Sequence, residues 1–496
     1  MHAKRHILLT AVLLPLSVAA QLLPPHRLAG PKPKMTPAVK QIRRQRTPFR
    51  VEAGEVQLPT SVDNSRERFF PPLINQTGGS CAQAAGIGYM FTYEINRLLG
   101  TAADTPANRM SYLFIWNLIN EGEDQGSFVE QGLQIAKSFG VMTEEDYGTP
   151  GLTIYKWATG YERYLRAMHF RAAEILTFED SIPLLKRYLF DAGRGEQPGG
   201  LLTFSIESTG WDFQTDYDGP SATGYHALLT RLGNDGAHAL TIVGYDDLVE
   251  YTDTAGTRHR GAFIVCNSWG DYYYHDRGRF YLPYDFFRDK SVANMTLSNS
   301  LNAVRVMTYD PQLIFRVALD YTSRDDLQFG MSHSTDRMAQ QPRVAYHIAP
   351  IMNHQGGDFN MQGQFRLSEI ELAMDYTPYA RPLDDSELQL YFCGVITMMH
   401  GLKKGNGEVR AVDVIDLRPA DGPLTYSYHG PLPAAIGPGT NSFAIPLRPL
   451  YRLPASRTPW NTGLLRLRTT QNHPAKLKVE STDVANQVHL RYTVRK

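Results

Sequence analysis

The stretch "QTGGSCAQAAGIGYMFTYEINRLLG", residues 76–100, sets a cysteine behind two glycines at the head of an apolar run. Ile87, Phe91, Ile95 and Leu98 recur at steps of four, four and three, and Gly100 follows. This spacing predicts a helix over 82–99 that buries these four side chains and stops at a glycine. Cys81 then stands at the helix N-terminus, where unpaired amide hydrogens and the positive end of the helix dipole favour a thiolate. Taken alone, that placement fits a small packing residue at least as well as a nucleophile, because most cysteines in globular proteins are core residues.

The chain has 496 residues, enough for two or three domains with cores of their own. Lysine plus arginine and aspartate plus glutamate both total 50, so net charge gives no reason to expect nucleic acid or a polyanion. Residues 1–20 carry His2, Lys4, Arg5 and His6, then "ILLTAVLLPLSV", then small residues before Gln21. That pattern predicts a secretory signal cleaved near Ala20 and a protein that is secreted, periplasmic or at the cell surface. No transmembrane segment is expected. Three cysteines, Cys81, Cys266 and Cys393, cannot all pair, so an exported chain would keep at least one free thiol.

Residues 21–56 hold six prolines and eight basic residues and are expected to be an exposed linker or short pro-segment with little capacity for a core. Further helices are expected at 111–121, 128–139 and 181–191. From about 200, "GLLTFSI", "AHALTIVGY", "GAFIVCNSW" and "GRFYLPY" read as short strands. Helices followed by strands over 57–308 imply an α+β domain. Beyond it, at 309–496, "EIELAMDYT", "LQLYFCGVITMM", "NSFAIPL" and "QVHLRYTV" imply an all-β, sandwich-like accessory domain whose ligand is unknown.

Within 57–308, His238 opens one strand and Asn267 closes another, with Trp269 and Gly270 directly after. A thiol nucleophile needs an imidazole to exchange its proton, and the imidazole needs an orienting acceptor, which an Asn oxygen supplies without adding charge.

On "LPTSVDNSRERFFPPLINQTGGSC", "HALTIVGY" and "CNSWG", the chain resembles the papain-like cysteine peptidases over about 57–300. "GVMTEEDYG" and "GGLLTFSIES" look like the family's segments around its mid-domain helix. The resemblance implies a two-lobed fold, one lobe helical and one β-barrel-like. It also implies Cys81 as nucleophile, His238 as acid/base, Asn267 as its orienter, and Gln76 with the Cys81 N–H as oxyanion hole, with Trp269 covering the His–Asn hydrogen bond. The expected substrate is a protein or peptide; no cofactor or metal is implied.

The sequence departs from the family in several places. Gln76 stands one position nearer the nucleophile, so the loop is shortened or Asn75 takes the glutamine's place. Ala82 replaces an aromatic. The cysteine usually found just before the nucleophile, normally disulfide-bonded, is missing, and so is the Cys-Asn-Gly-Gly stretch lining the cleft, for which "EDQGSF" (123–128) is a candidate substitute. "DDLVEYTDTAGTRHRG" (246–261) reads as an extended hairpin between two core strands. His226, also in a "HAL" triplet, competes with His238, but polar "LTRLGNDG" follows it. Strand alternation turns Cys266 away from Asn267, and Cys393 reads as core. His347, His354 and Asp358 fit no compact metal motif. Two alternatives stay open: a papain-fold binding protein without turnover, and an amidase or acyl transferase using the same triad.

Overall fold

The computed structural model describes residues 33–148, 154–252, 256–272, 278–288, 301–334, 339, 341–342, 347–348, 356–363, 366–380, 390–397, 405–447, 464–468, 474–482 and 488–494. The expected signal segment 1–20 and His354 lie outside them.

One rod runs from Cys81 to Leu99: α-helical over Cys81–Gln83, π-helical over Ala84–Phe91 and α-helical again over Thr92–Leu99. Gly100, with φ +68, ends it in the left-handed region and donates its N–H to Asn96 O. Every side chain from Cys81 to Asn96 is buried, whereas Leu98 is 53 % exposed. The expected single face with Leu98 on it therefore fails. The π segment takes more residues per turn than an α-helix, so it carries Leu98 off the side defined by Ile87. The rod is buried all round because Tyr112–Ile119 and Val129–Ser138 pack on one flank and the main sheet on the other. These two helices, and Ile182–Asp191, begin and end within about two residues of their expected bounds.

Among the described residues, the second layer is a ten-stranded sheet. Its hydrogen-bonded order is Thr47–Pro48, Phe170–Thr177, Asn302–Thr308, Leu202–Thr209, Asp235–Thr252, Arg258–Cys266, Arg279–Pro283, Leu228–Arg231 and Asp212–Gln214, with Ser61–Asp63 also on Asp235–Thr252. Among the described residues no strand pairing joins the two ends of this order. The 18-residue strand Asp235–Thr252 forms its spine. It pairs Ile206 with His238 on one side and Thr241 with Cys266 on the other, and its far end forms the expected hairpin extension, with Glu250 opposite Arg260.

Residues 36–54, expected as an exposed linker or pro-segment, hold a helix (Pro37–Arg44) and a strand at the sheet edge. Val39 and Phe49 are buried. Two apolar anchors suffice because the segment lies on a core that already exists and need not build one.

Beyond 309 the chain is β-rich, as expected. Glu369–Asp375, Leu313–Tyr321, Gly407–Asp416 and Leu424–Ser427 form one antiparallel sheet, with Ala434–Ala435 beside Gly407–Asp416. His347–Ile348, Leu327–Ser334, Leu390–Thr397 and Gly439–Pro446 form a second. Phe315 of the first meets Tyr391 of the second with ring centroids 6.1 Å apart. Three further strands lie between Leu464 and Val494. This region is bonded to both preceding layers: Arg171 Nη2 on the strand Phe170–Thr177 meets Asp375 Oδ2 at 2.7 Å, and Tyr161 N–H, at the start of the helix Tyr161–Ala167, donates to Glu371 Oε2 at 2.8 Å. Among the described residues no helix is long and apolar enough to cross a membrane.

Candidate active site

His238 is wholly buried on the spine strand, and its Nε2 lies 2.8 Å from Asn267 Oδ1. The same Oδ1 accepts the Ser268 N–H at 2.7 Å, which identifies it as the oxygen of the amide. The imidazole proton therefore belongs on Nε2, and Nδ1 keeps a bare lone pair. Nδ1 is buried and has no hydrogen-bond partner among the described residues. Asn267 is itself fixed, since its N–H donates to Gly278 O at 2.8 Å and its carbonyl accepts Tyr89 OH at 3.0 Å.

The indole of Trp269 stacks on His238 at 4.3 Å and 22°, closing one face of the ring. Trp211 stands edge-on to both, 6.0 Å from His238 and 5.4 Å from Trp269. Its position just after the strand Leu202–Thr209 and the left-handed Gly210 went unnoticed in the sequence. A tryptophan in a polar turn was the available signal.

Cys81 begins the buried rod, is 6 % exposed and is a free thiol. Burial pushes the thiol pKa up, opposed by the backbone amides of Ala239, Ala82 and Cys81 itself. Ala239 follows His238 on the spine strand, so the sulfur of Cys81 meets the backbone of the residue next to the histidine. Thr241 Oγ1 donates to Ala85 O at 3.3 Å and ties strand to helix beside them.

Gln76 is buried. Its Nε2 donates to Gly78 O at 2.7 Å, its Oε1 accepts Ser268 Oγ at 2.6 Å, and its N–H donates to Ser268 O at 2.8 Å. One amide hydrogen remains for another acceptor. Asn75 pairs through its backbone with Trp269, and Gly270 N–H donates to Ile74 O at 3.0 Å. The loop before the cysteine is thereby sewn to the segment after Asn267. Ser268, which grips Gln76, was not singled out in the sequence.

His226 is exposed, with Nδ1 3.0 Å from Tyr217 O. Cys266 Sγ is buried toward Asn267 O and Tyr89, and Cys393 lies in the strand Leu390–Thr397. His347 stacks on Tyr379 at 3.9 Å, and Asp358 accepts Ser323 Oγ at 2.5 Å.

Burial pushes the His238 pKa down to about 4, against the Asn267 hydrogen bond. The unfolded chain binds a proton here between pH 6.5 and about 4 that the folded chain refuses. Stability is therefore full above 6.5 and falls as pH drops across that window, by roughly 3 kcal/mol at its foot. Urea unfolding of wild type and His238→Gln at pH 7.5 and 4.5 checks this. The gap between the two proteins should narrow by about 2–3 kcal/mol at the lower pH; a constant gap refutes it.

No protein-family model matches the sequence, and no curated protein does. Solved structures that resemble the chain are papain-like cysteine proteases. Xylellain, a cysteine protease from Xylella fastidiosa, is 18% identical over 56% of this chain and 96% of its own, with a TM-score of 0.38. The cysteine protease and lectin-like domains of Cwp84, a surface layer associated protein of Clostridium difficile, are 13% identical over 81% and 87%, with a TM-score of 0.35. Digestive procathepsin L 3 of Tenebrio molitor larval midgut is 14% identical over 52% and 73%, with a TM-score of 0.34.

Proposed function

We propose that the chain is an exported cysteine peptidase with Cys81 as nucleophile, His238 as acid/base and Asn267 as its orienter. The observation that carries this reading is the bare, buried Nδ1 of His238, with Nε2 committed to Asn267. A ring whose proton is held on Nε2 offers Nδ1 as a base for one proton.

In the proposed reaction, the Cys81 thiol gives its proton to Nδ1 as sulfur attacks the scissile carbonyl carbon. The carbonyl oxygen becomes an oxyanion, stabilised by the Cys81 N–H and the remaining Gln76 amide hydrogen. The tetrahedral intermediate collapses, the C–N bond breaks, and the Nδ1 proton leaves with the amine. Water then gives a proton to Nδ1 as its oxygen attacks the thioester, and the thiolate departs and recovers that proton. Asn267 keeps the ring oriented throughout without adding charge.

Export rests on the composition of residues 1–20, and the two sheets beyond 309 are read as a sandwich-like accessory domain. The low exposure of Cys81 favours a second reading, a papain-fold binding protein without turnover. Hydrolysis of a mixed fluorogenic peptide library under reducing conditions separates the two. Turnover should occur and should stop once a thiol alkylator is mapped onto Cys81. A folded protein without turnover, or turnover that survives complete labelling of Cys81, would overturn the peptidase reading.

A further inference from the structure

The loop before Cys81 has no covalent tether, because no second cysteine lies near it. Another loop holds it instead. Gly79 N–H donates to Asp124 Oδ1 at 2.5 Å. Gly78, at φ +51, presses on the same carboxylate so closely that a side chain there would collide with it. A methyl group on Gly79 would lie 3.0 Å from the main chain of Gln125. The carbonyl of Gly78 is the one that accepts Gln76 Nε2. Asp124 therefore fixes the turn that aims the proposed oxyanion-hole amide.

The 120–126 loop is in turn gripped by the β-rich region. Gly122, at φ +72, faces the Phe359 ring and Gly356 O, which leave no room for a side chain, and Gly357, at φ +86, is pressed onto the Glu121 carbonyl. Phe359 stacks on Tyr155 at 4.7 Å and 23°. Behind it, the buried Arg324 guanidinium donates to Gly356 O and lies 4.4 Å over Trp157. Trp116 Nε1 holds Gln125 O at 3.0 Å from the helical side.

We propose that Phe359 and Asp124 are positioning residues, through which the β-rich region clamps the 120–126 loop and sets the Gly78–Gly79 turn and the Gln76 amide. This deepens the peptidase reading and rests on it for its catalytic consequence. The β-rich region is then part of the active-site scaffold and not a detachable appendage.

The test compares wild type, Asp124→Ala, Asp124→Asn and Phe359→Ala as full chains. Hydrogen exchange in the 77–81 segment should quicken in both alanine variants and stay slow in Asp124→Asn, which keeps an acceptor oxygen. The alanine variants should lose about 10- to 100-fold in kcat with KM within about twofold. Their affinity for a peptide aldehyde, which forms an oxyanion, should fall in parallel. Reaction of Cys81 with dipyridyl disulfide, which forms none, should keep its rate. Unchanged exchange in the alanine variants overturns the clamp, as does disulfide exchange slowed as much as kcat, since that is general damage to the site. If wild type hydrolyses no peptide, the peptidase reading fails and the exchange data alone decide the clamp.

Discussion

Cys81→Ala and His238→Ala should each lower kcat for peptide hydrolysis by about 10⁴-fold or more, and the double variant should be no slower than the slower single one. The non-additivity follows from the site. Burial pushes the Cys81 thiol up, so without an imidazole to take its proton the sulfur is a poor nucleophile at neutral pH. Without the sulfur, the bare Nδ1 of His238 has nothing to activate in the first step. Each residue works only through the other, so removing the second costs almost nothing more. Single-turnover and steady-state rates on one peptide for the four proteins check this. If the two losses multiply, the residues act in separate steps and the shared proton transfer is wrong.

The parts of this site that were legible in sequence are those that regular structure imposes. An apolar strand led by His238, and another ended by Asn267, fix where the ring and amide lie. Period-two alternation then sends Cys266 to the opposite face, where it meets Tyr89. The helix of Cys81 was legible in extent but not in phase, because apolar spacing does not distinguish an α-helix from one carrying a π segment. Leu98 shows the size of that error. Asp124 was not legible at all: one carboxylate in the polar run "EGEDQG" looks like solvated charge, and only the approach of Gly78 and Gly79 distinguishes it. The grip of Phe359 on Gly122 joins positions more than 200 apart in the chain, and no local pattern signals that.

Residues 33–56, whose composition did not signal the helix and edge strand that they hold, carry the second large prediction. A chain beginning at Gln57 should be much less stable than one beginning at Pro33, with a melting temperature about 10–20 °C lower. The segment seals the sheet edge: Thr47–Pro48 pair with Leu176–Thr177, and Phe49 N–H donates to Thr177 O at 2.8 Å. Phe49 packs its ring on Phe178 at 4.8 Å and Tyr188 at 5.1 Å. Burying such a ring is worth about 1.5–3 kcal/mol, a sizeable share of the roughly 5–15 kcal/mol that holds a domain together. Arg46 Nη1 donates to Asn302 Oδ1 at 2.7 Å, and Arg187 Nη1 to Gly54 O at 2.9 Å, so removal also strands partners in the sheet and in Ile182–Asp191. Phe49→Ala in the longer chain should account for about 3–5 kcal/mol of the loss by itself. An inhibitory pro-segment would behave in the reverse way, since its removal would leave the fold intact and raise peptide turnover. Thermal melts and peptide turnover of the two chains therefore decide between a structural strap and a detachable inhibitor. A shorter chain with unchanged melting temperature and higher turnover would establish the inhibitor.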